Sequence, residues 1–194
     1  MLKSFGEVLR DKAIELRYPK DHNMLSDWIK QYPLPILGCS KFEIEELCQK
    51  QKIQKLPTIY FEFMRFMGKE SGDLFIGYDI IYYYLKSYNF RESLNIRLTI
   101  DGYTPLNNGY YVFMNLGGHS FWYFSVDESN DPPVYMYIID DGEDDPEYPC
   151  DQGPIIVDNH LSSFLAYFIE ERASLEEKQD FLTEYASPYR SGTR

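Results

Sequence analysis

Apolar positions in the first third of the chain recur at three- and four-residue spacing and then give way to short aromatic runs, and this change of period sets the fold expectation. Leu2, Phe5, Leu9, Ala13 and Leu16 form a helical stripe that ends at the Tyr18-Pro19 step, because proline disfavours helix in the residue before it. A short segment, MLSDWIKQY, leads to PLPILG. Ser40 and Glu43 then stand in capping-box register ahead of Ile44, Leu47 and Cys48, so that a hydroxyl and a carboxylate satisfy backbone donors at the helix start. In LPTIYFEFMRFMGKESGDLF, Pro57 suits a first helical position, Tyr60, Phe63, Met64 and Met67 share one face, and Gly68 is the expected stop.

The runs that follow, DLFIGYDIIYYYL, YYVFMNL, HSFWYFSV and PVYMYII, are β-branched and aromatic and are separated by turn residues, the pattern of strands. Gly117-Gly118 supplies positive φ for a hairpin, and DESNDPP reads as the loop before the last run. Beyond a further acidic segment, LSSFLAYFIEE places Leu161, Phe164, Leu165 and Phe168 on one helical side, and Ser174 with Glu177 offers another capping box. Helices, then strands, then helices predict an α+β fold, an antiparallel meander-rich sheet flanked by helices. We expect a single domain over residues 1–194, with 1–37 as a helical extension, 38–171 as its core, and 172–194 as a C-terminal helix and tail.

Composition supports a folded domain: the 194 residues are 44% hydrophobic and 17% aromatic, far from the makeup of a disordered chain. No run of about 18 apolar residues occurs and the N-terminus is charged throughout, so a cytoplasmic protein with no membrane contact is expected. Cys39, Cys48 and Cys150 form an odd set without paired spacing, which suits reduced thiols.

Charge changes the picture most. The net charge is −12, yet between Arg97 and Arg172 there are fourteen Asp and Glu and no Lys or Arg, while the remainder holds 17 acidic against 19 basic residues. Phosphate binding draws on clustered cations, so direct nucleic-acid binding by this half is excluded, and a cationic protein surface is its natural complement. The densest part contains Asp140, Asp141, Glu143, Asp144, Asp145 and Glu147. It lacks the alternating oxygen ligands and distal Glu of a calcium loop, which leaves a solvated loop or a surface for a basic partner.

Other candidates for chemistry are weaker. NLGGHS has neither the Lys nor the following helix of a phosphate cradle, and Ser and His adjacent on a strand point to opposite faces. His22, His119 and His160 are scattered, and no metal site or cofactor is expected. Cys39 precedes a helix N-terminus, where the dipole lowers a thiol pKa, but no His partner is identifiable. No catalytic residue is assigned. Along FWYF, Phe121 and Tyr123 face one way and Trp122 and Phe124 the other, and Tyr135 and Tyr137 follow on the next run. A tyrosine-rich face rimmed by carboxylates has the makeup of a protein-binding site.

Taken in order, Leu56-Pro57 with Tyr60, Phe63 and Gly68, then Gly72-Asp73-Leu74-Phe75, then Asp131-Pro132-Pro133-Val134-Tyr135, and finally the helix LSSFLAYFIEE resemble the SUKH superfamily. That group unites fungal cell-wall assembly regulators of the Smi/Knr type with bacterial immunity proteins, and the resemblance spans about Gly38 to Glu171. It implies an α+β fold. For the immunity branch it also implies a non-catalytic protein that binds and neutralises a cognate polymorphic or contact-dependent toxin, often a nuclease or deaminase; we expect a monomer and, from the charge asymmetry, a toxin with a basic surface. The expected contact set is Asp140, Asp141, Glu143, Asp144, Asp145, Glu147, Tyr135 and Tyr137; the alternative is a regulatory scaffold that binds signalling partners.

Overall fold

A computed structural model describes residues 3–15, 35–72, 74–75, 77–139 and 153–170. Helix α1, Phe5–Glu15, buries Phe5, Leu9 and Ala13 of the predicted stripe together with Val8, while Leu2 and Leu16 lie outside the described residues. Strand β1, Ile36–Leu37, leads into α2, Lys41–Lys50, whose start is the expected capping box. The Glu43 N–H donates to the Ser40 hydroxyl at 3.3 Å, and the Ser40 N–H donates to the Glu43 carboxylate at 2.8 Å. Such a cap contributes about 1 kcal/mol.

Helix α3, Thr58–Met67, buries Ile59, Tyr60, Phe63, Met64 and Met67 against the sheet and against α1, with Pro57 just before its first turn. Gly68 does end the helix, but with a φ of −71° and not the left-handed conformation usual for a terminal glycine. Its role is space: a Cβ there would lie 2.6 Å from the Met64 carbonyl oxygen. Strand β2, Glu70–Ser71, then returns antiparallel to β1.

The sequence DLFIGYDIIYYYL, read above as a strand, departs from expectation. No strand forms in its described residues, and Tyr82–Ser87 is a short helix, α4. Tyr82 and Leu85, three apart, are buried while Tyr83 and Tyr84 are exposed, and the Tyr82 N–H donates to the Gly68 carbonyl at 2.7 Å. Strand preference is the fit of side chains to a half-buried pleated surface, and here the available burial is that of one helical face. A second helix, α5, Phe90–Ile100, follows where no element was foreseen. Asn89 caps it by accepting from the Glu92 N–H, and Phe90, Leu94 and Leu98 face the core.

The main sheet is an antiparallel meander, as predicted, in the order β3, β4, β5, β6. Its strands are β3 Tyr110–Leu116, β4 Ser120–Ser125, β5 Val134–Ile138 and the unforeseen β6 Ile155–Asp158. Gly117 and Gly118, at φ of 56° and 84°, make the β3–β4 turn in a region that other residues enter only with strain. A bulge shifts the register between Val112 and Met114, and Tyr111, Val112, Phe113 and Met114 are all buried, as expected of a strand covered on both faces.

Helix α6, Leu161–Glu170, packs on β6, α1 and α3 with Leu161, Leu165 and Phe168 buried. Asp131 holds its start, accepting from the Ser162 N–H at 2.7 Å and from the Ser162 hydroxyl at 2.6 Å. The core between α3 and the sheet is aromatic: the Tyr60 ring meets Phe124 at 5.3 Å and Phe113 at 5.5 Å, both edge-on, the geometry that ring quadrupoles favour. This arrangement of helices on an antiparallel sheet is the α+β fold anticipated from the order of elements.

Candidate interaction surface

Tyr135 and Tyr137 stand two apart on β5, so both side chains project from the same face of the sheet. The face is not open along its length. Tyr137 is 2% exposed, and its hydroxyl donates to the Asp101 carboxylate at the end of α5. Burial, followed by that carboxylate, pushes its phenol well above the ordinary value. Helix α5 and the segment after it therefore take Tyr137 out of the candidate surface, because a sheet with two apolar faces needs cover on both.

Tyr135, by contrast, is half-buried. It stacks on Tyr123 at 5.4 Å and donates to Glu128 at 3.3 Å. Burial and then the Glu128 charge raise its phenol, so it stays a neutral donor at physiological pH. Asp140, Asp141, Glu143, Asp144, Asp145 and Glu147 lie outside the described residues.

The same helix that covers one end of the sheet creates a second feature. A groove of about 530 Å³ runs between α5 and the Gly117–Gly118 turn, with Phe90 and Phe121 in its floor and Ile96, Ile100 and Ile139 along it. Ile96 is 58% exposed, Ile100 68% and Tyr88 58%, so an apolar ridge faces solvent where a helix of this kind usually presents polar residues. Clustered exposed apolar groups mark contact sites far better than isolated ones. Asp79 also lines the groove, its carboxyl raised by burial, while Arg97 beside it is tied to Asp101 at 3.1 Å. Ile139, which lines the groove, is the residue immediately before Asp140 in the sequence.

The groups weighed for catalysis are placed otherwise. Cys39 does precede α2, yet burial, with the Glu43 carboxylate adding to it, pushes the thiol up to about 12, overriding the lowering expected from the helix dipole. Burial likewise pushes Cys48 up to about 11. Both are free thiols held protonated; Cys150 lies outside the described residues. His119 is exposed on the hairpin turn, and His160 Nδ1 lies 3.7 Å from Asp131, which serves the start of α6. Among the described residues no group of three or more His, Cys, Asp or Glu converges as a metal site, and no helix is long and apolar enough to cross a membrane.

Of the predicted contact residues that are described, Tyr135 is the one left partly exposed, and the α5 ridge is a feature that the sequence reading missed. The signals for α5 were present: Asn89 and Glu92 in capping register, Phe90, Leu94 and Leu98 at four-residue spacing, and Ile96 and Ile100 repeating on another side. Comparison with known families gives a match over residues 38–167 to the model of the SMI1 / KNR4 family (SUKH-1). The match starts just before α2 and runs into α6, enclosing the whole sheet and the groove. No curated protein matches the sequence.

Proposed function

The chain belongs to the SMI1/KNR4 family (SUKH-1), the match covering roughly two thirds of its length, and from that membership we propose that it is a non-catalytic binding protein of the immunity type. In this reading it binds a cognate polymorphic or contact-dependent toxin in the cytoplasm of the cell that makes both, and covers a basic surface of that toxin. The observation that carries the reading is the partition of charge: fourteen acidic residues and no Lys or Arg between Arg97 and Arg172. A nuclease, or a deaminase acting on nucleic acid, carries cations to hold phosphate, and an acidic inhibitor competes for them. The α5 ridge and Tyr135 supply the apolar anchors that such a contact needs at its centre, with Asp140, Asp141, Glu143, Asp144, Asp145 and Glu147 as the charged rim.

The test has two stages. The protein is used as bait in lysate of its own cell, beside a variant with those six carboxylates replaced by Asn or Gln. Each captured protein is then expressed alone and together with the bait. A captured protein that arrests growth alone and is silenced by the wild type establishes immunity, and weaker silencing by the variant assigns the acidic rim. Capture of non-toxic signalling proteins instead establishes a regulatory scaffold, the second reading, which the family's cell-wall regulator branch favours.

A further inference from the structure

Lys50, Lys52 and Arg91 line one cleft of about 410 Å³ between the end of α2 and the first turn of α5. In a chain of net charge −12 such a meeting of cations is not a by-product of a basic surface. The fold holds the three in place. Gln51, between the two lysines, is buried and bonded to the backbone of Val112 through both ends of its amide, at 2.7 and 2.9 Å. Lys52 has a φ of 55°, the left-handed conformation in which Gly or Asn is the default and other side chains are strained. Arg91 is moored by donating from Nη2 to Asn108 at 3.1 Å.

Two of these cations, Lys52 and Arg91, lack an ion pair among the described residues, and Arg91 Nη1 is buried without a hydrogen-bond partner. Buried guanidinium nitrogens are ordinarily paired, and a desolvated charge without a partner is unfavourable. Burial pulls both Lys50 and Arg91 below their ordinary values, an effect that an anion in the cleft would offset. The Lys50 ammonium reaches the Lys86 carbonyl and feels Glu46. Glu92 is the carboxylate in the lining, held by the Asn89 amide at 2.9 Å. Asn95 is occupied with both backbone groups of Leu106, at 3.1 and 2.7 Å, so the free binding capacity is cationic.

We propose that this cleft binds a phosphate group carried by a small molecule, with Lys50 and Lys52 as its ammonium donors, Arg91 as the charge behind them and Ile96 as the apolar flank. Three cations against one carboxylate match the double charge of a phosphate monoester, and the positive end of α5 adds to the attraction. Ile96 lines both this cleft and the groove proposed for the protein partner, but the three cations line the cleft alone, and the site stands independently of the immunity reading.

The test is isothermal titration of the full chain with inorganic phosphate, adenosine monophosphate and adenosine, at ionic strength held constant with chloride. The variants are Lys52→Asn, which keeps a residue tolerant of the left-handed conformation, Arg91→Gln, and Lys41→Gln at the far end of α2 as a control. Saturable binding of phosphate or the monophosphate is expected, weakened about tenfold or more in Lys52→Asn and in Arg91→Gln, and unchanged in the control. Stronger binding of the monophosphate than of phosphate identifies a nucleotide-sized ligand; the reverse identifies free phosphate. Adenosine binding as well as its monophosphate, no saturation by either anion at millimolar concentration, or equal affinity in a folded Lys52→Asn variant overturns the proposal.

Discussion

The side-chain amide of Gln51 pairs with the backbone of Val112 as a neighbouring strand would: its NH2 donates to the Val112 carbonyl and its carbonyl accepts from the Val112 N–H. Strand β3 lies at the edge of the sheet, and unpaired edge groups are both unfavourable when buried and prone to recruit another strand. One buried amide thus closes the edge beside the bulge and fixes the end of α2. Gln51→Leu removes both partners at once and is expected to destabilise the fold by about 2–4 kcal/mol, since each orphaned buried group costs about 1–3. Urea denaturation checks this; a loss below about 1 kcal/mol would mean that the edge finds other partners.

Two further buried hydroxyls bear the opposite sign. Tyr60 and Tyr111 are fully buried, with hydroxyls that have no hydrogen-bond partner among the described residues. Tyr60→Phe and Tyr111→Phe keep the ring contacts with Phe124 while removing a desolvated polar atom. Each is expected to raise stability by up to about 1 kcal/mol, measured by thermal melting with calorimetry. A fall in melting temperature would show that the hydroxyl is bonded in solution.

The α5 ridge separates partner binding from folding. Ile96 and Ile100 are mostly exposed, so Ile96→Glu and Ile100→Glu should change stability by no more than about 0.5 kcal/mol. If the groove receives an apolar anchor of the partner, each variant weakens binding by about tenfold or more, because a charge enters the contact centre. Surface plasmon resonance with the captured partner decides it: equal dissociation rates for wild type and both variants place the contact elsewhere.

Acid dependence tests the α2 cap. The Glu43 carboxyl is held down to about 2, chiefly by its contact with Lys69 at 2.7 Å and then by the Ser40 backbone. A carboxyl with a depressed pKa stabilises the fold at pH values above its unfolded pKa, near 4.5, and loses that contribution as the pH falls toward about 2. Glu43→Gln should therefore be less stable than wild type at neutral pH, with the difference shrinking between about pH 4.5 and pH 2. A difference that stays constant across this window would show that the cap geometry, and not the charge, is responsible.

The elements legible in the sequence were those specified by neighbours along the chain. The box of Ser40 and Glu43, the four-residue spacing in α3 and α6, and the glycine pair between β3 and β4 act within a few residues, so α2, α3, α6 and three strands of the meander could be read directly. Tyr135 was legible as part of a tyrosine face because alternation along a strand is a local rule.

Other features depend on which surfaces meet. Tyr82–Ser87 is rich in residues that favour strands, yet the fold offers it one buried helical face and the Gly68 carbonyl as acceptor for the Tyr82 N–H, so a helix results. The carboxylate of Asp101 reaches Tyr137 across 36 residues, and that approach, invisible to any period, turns a predicted contact residue into a core one. Likewise Lys50 and Lys52 share a cleft with Arg91 because the amide of Gln51 binds a strand 61 residues away. The sequence by itself determined the class of fold, the family and the concentration of acidic charge in one half, since periodicity, motif order and composition are local or additive. Only the tertiary structure decided which tyrosines stay buried, where the apolar ridge stands and where Lys50, Lys52 and Arg91 converge, because burial and electrostatic pairing are set by contacts between distant residues.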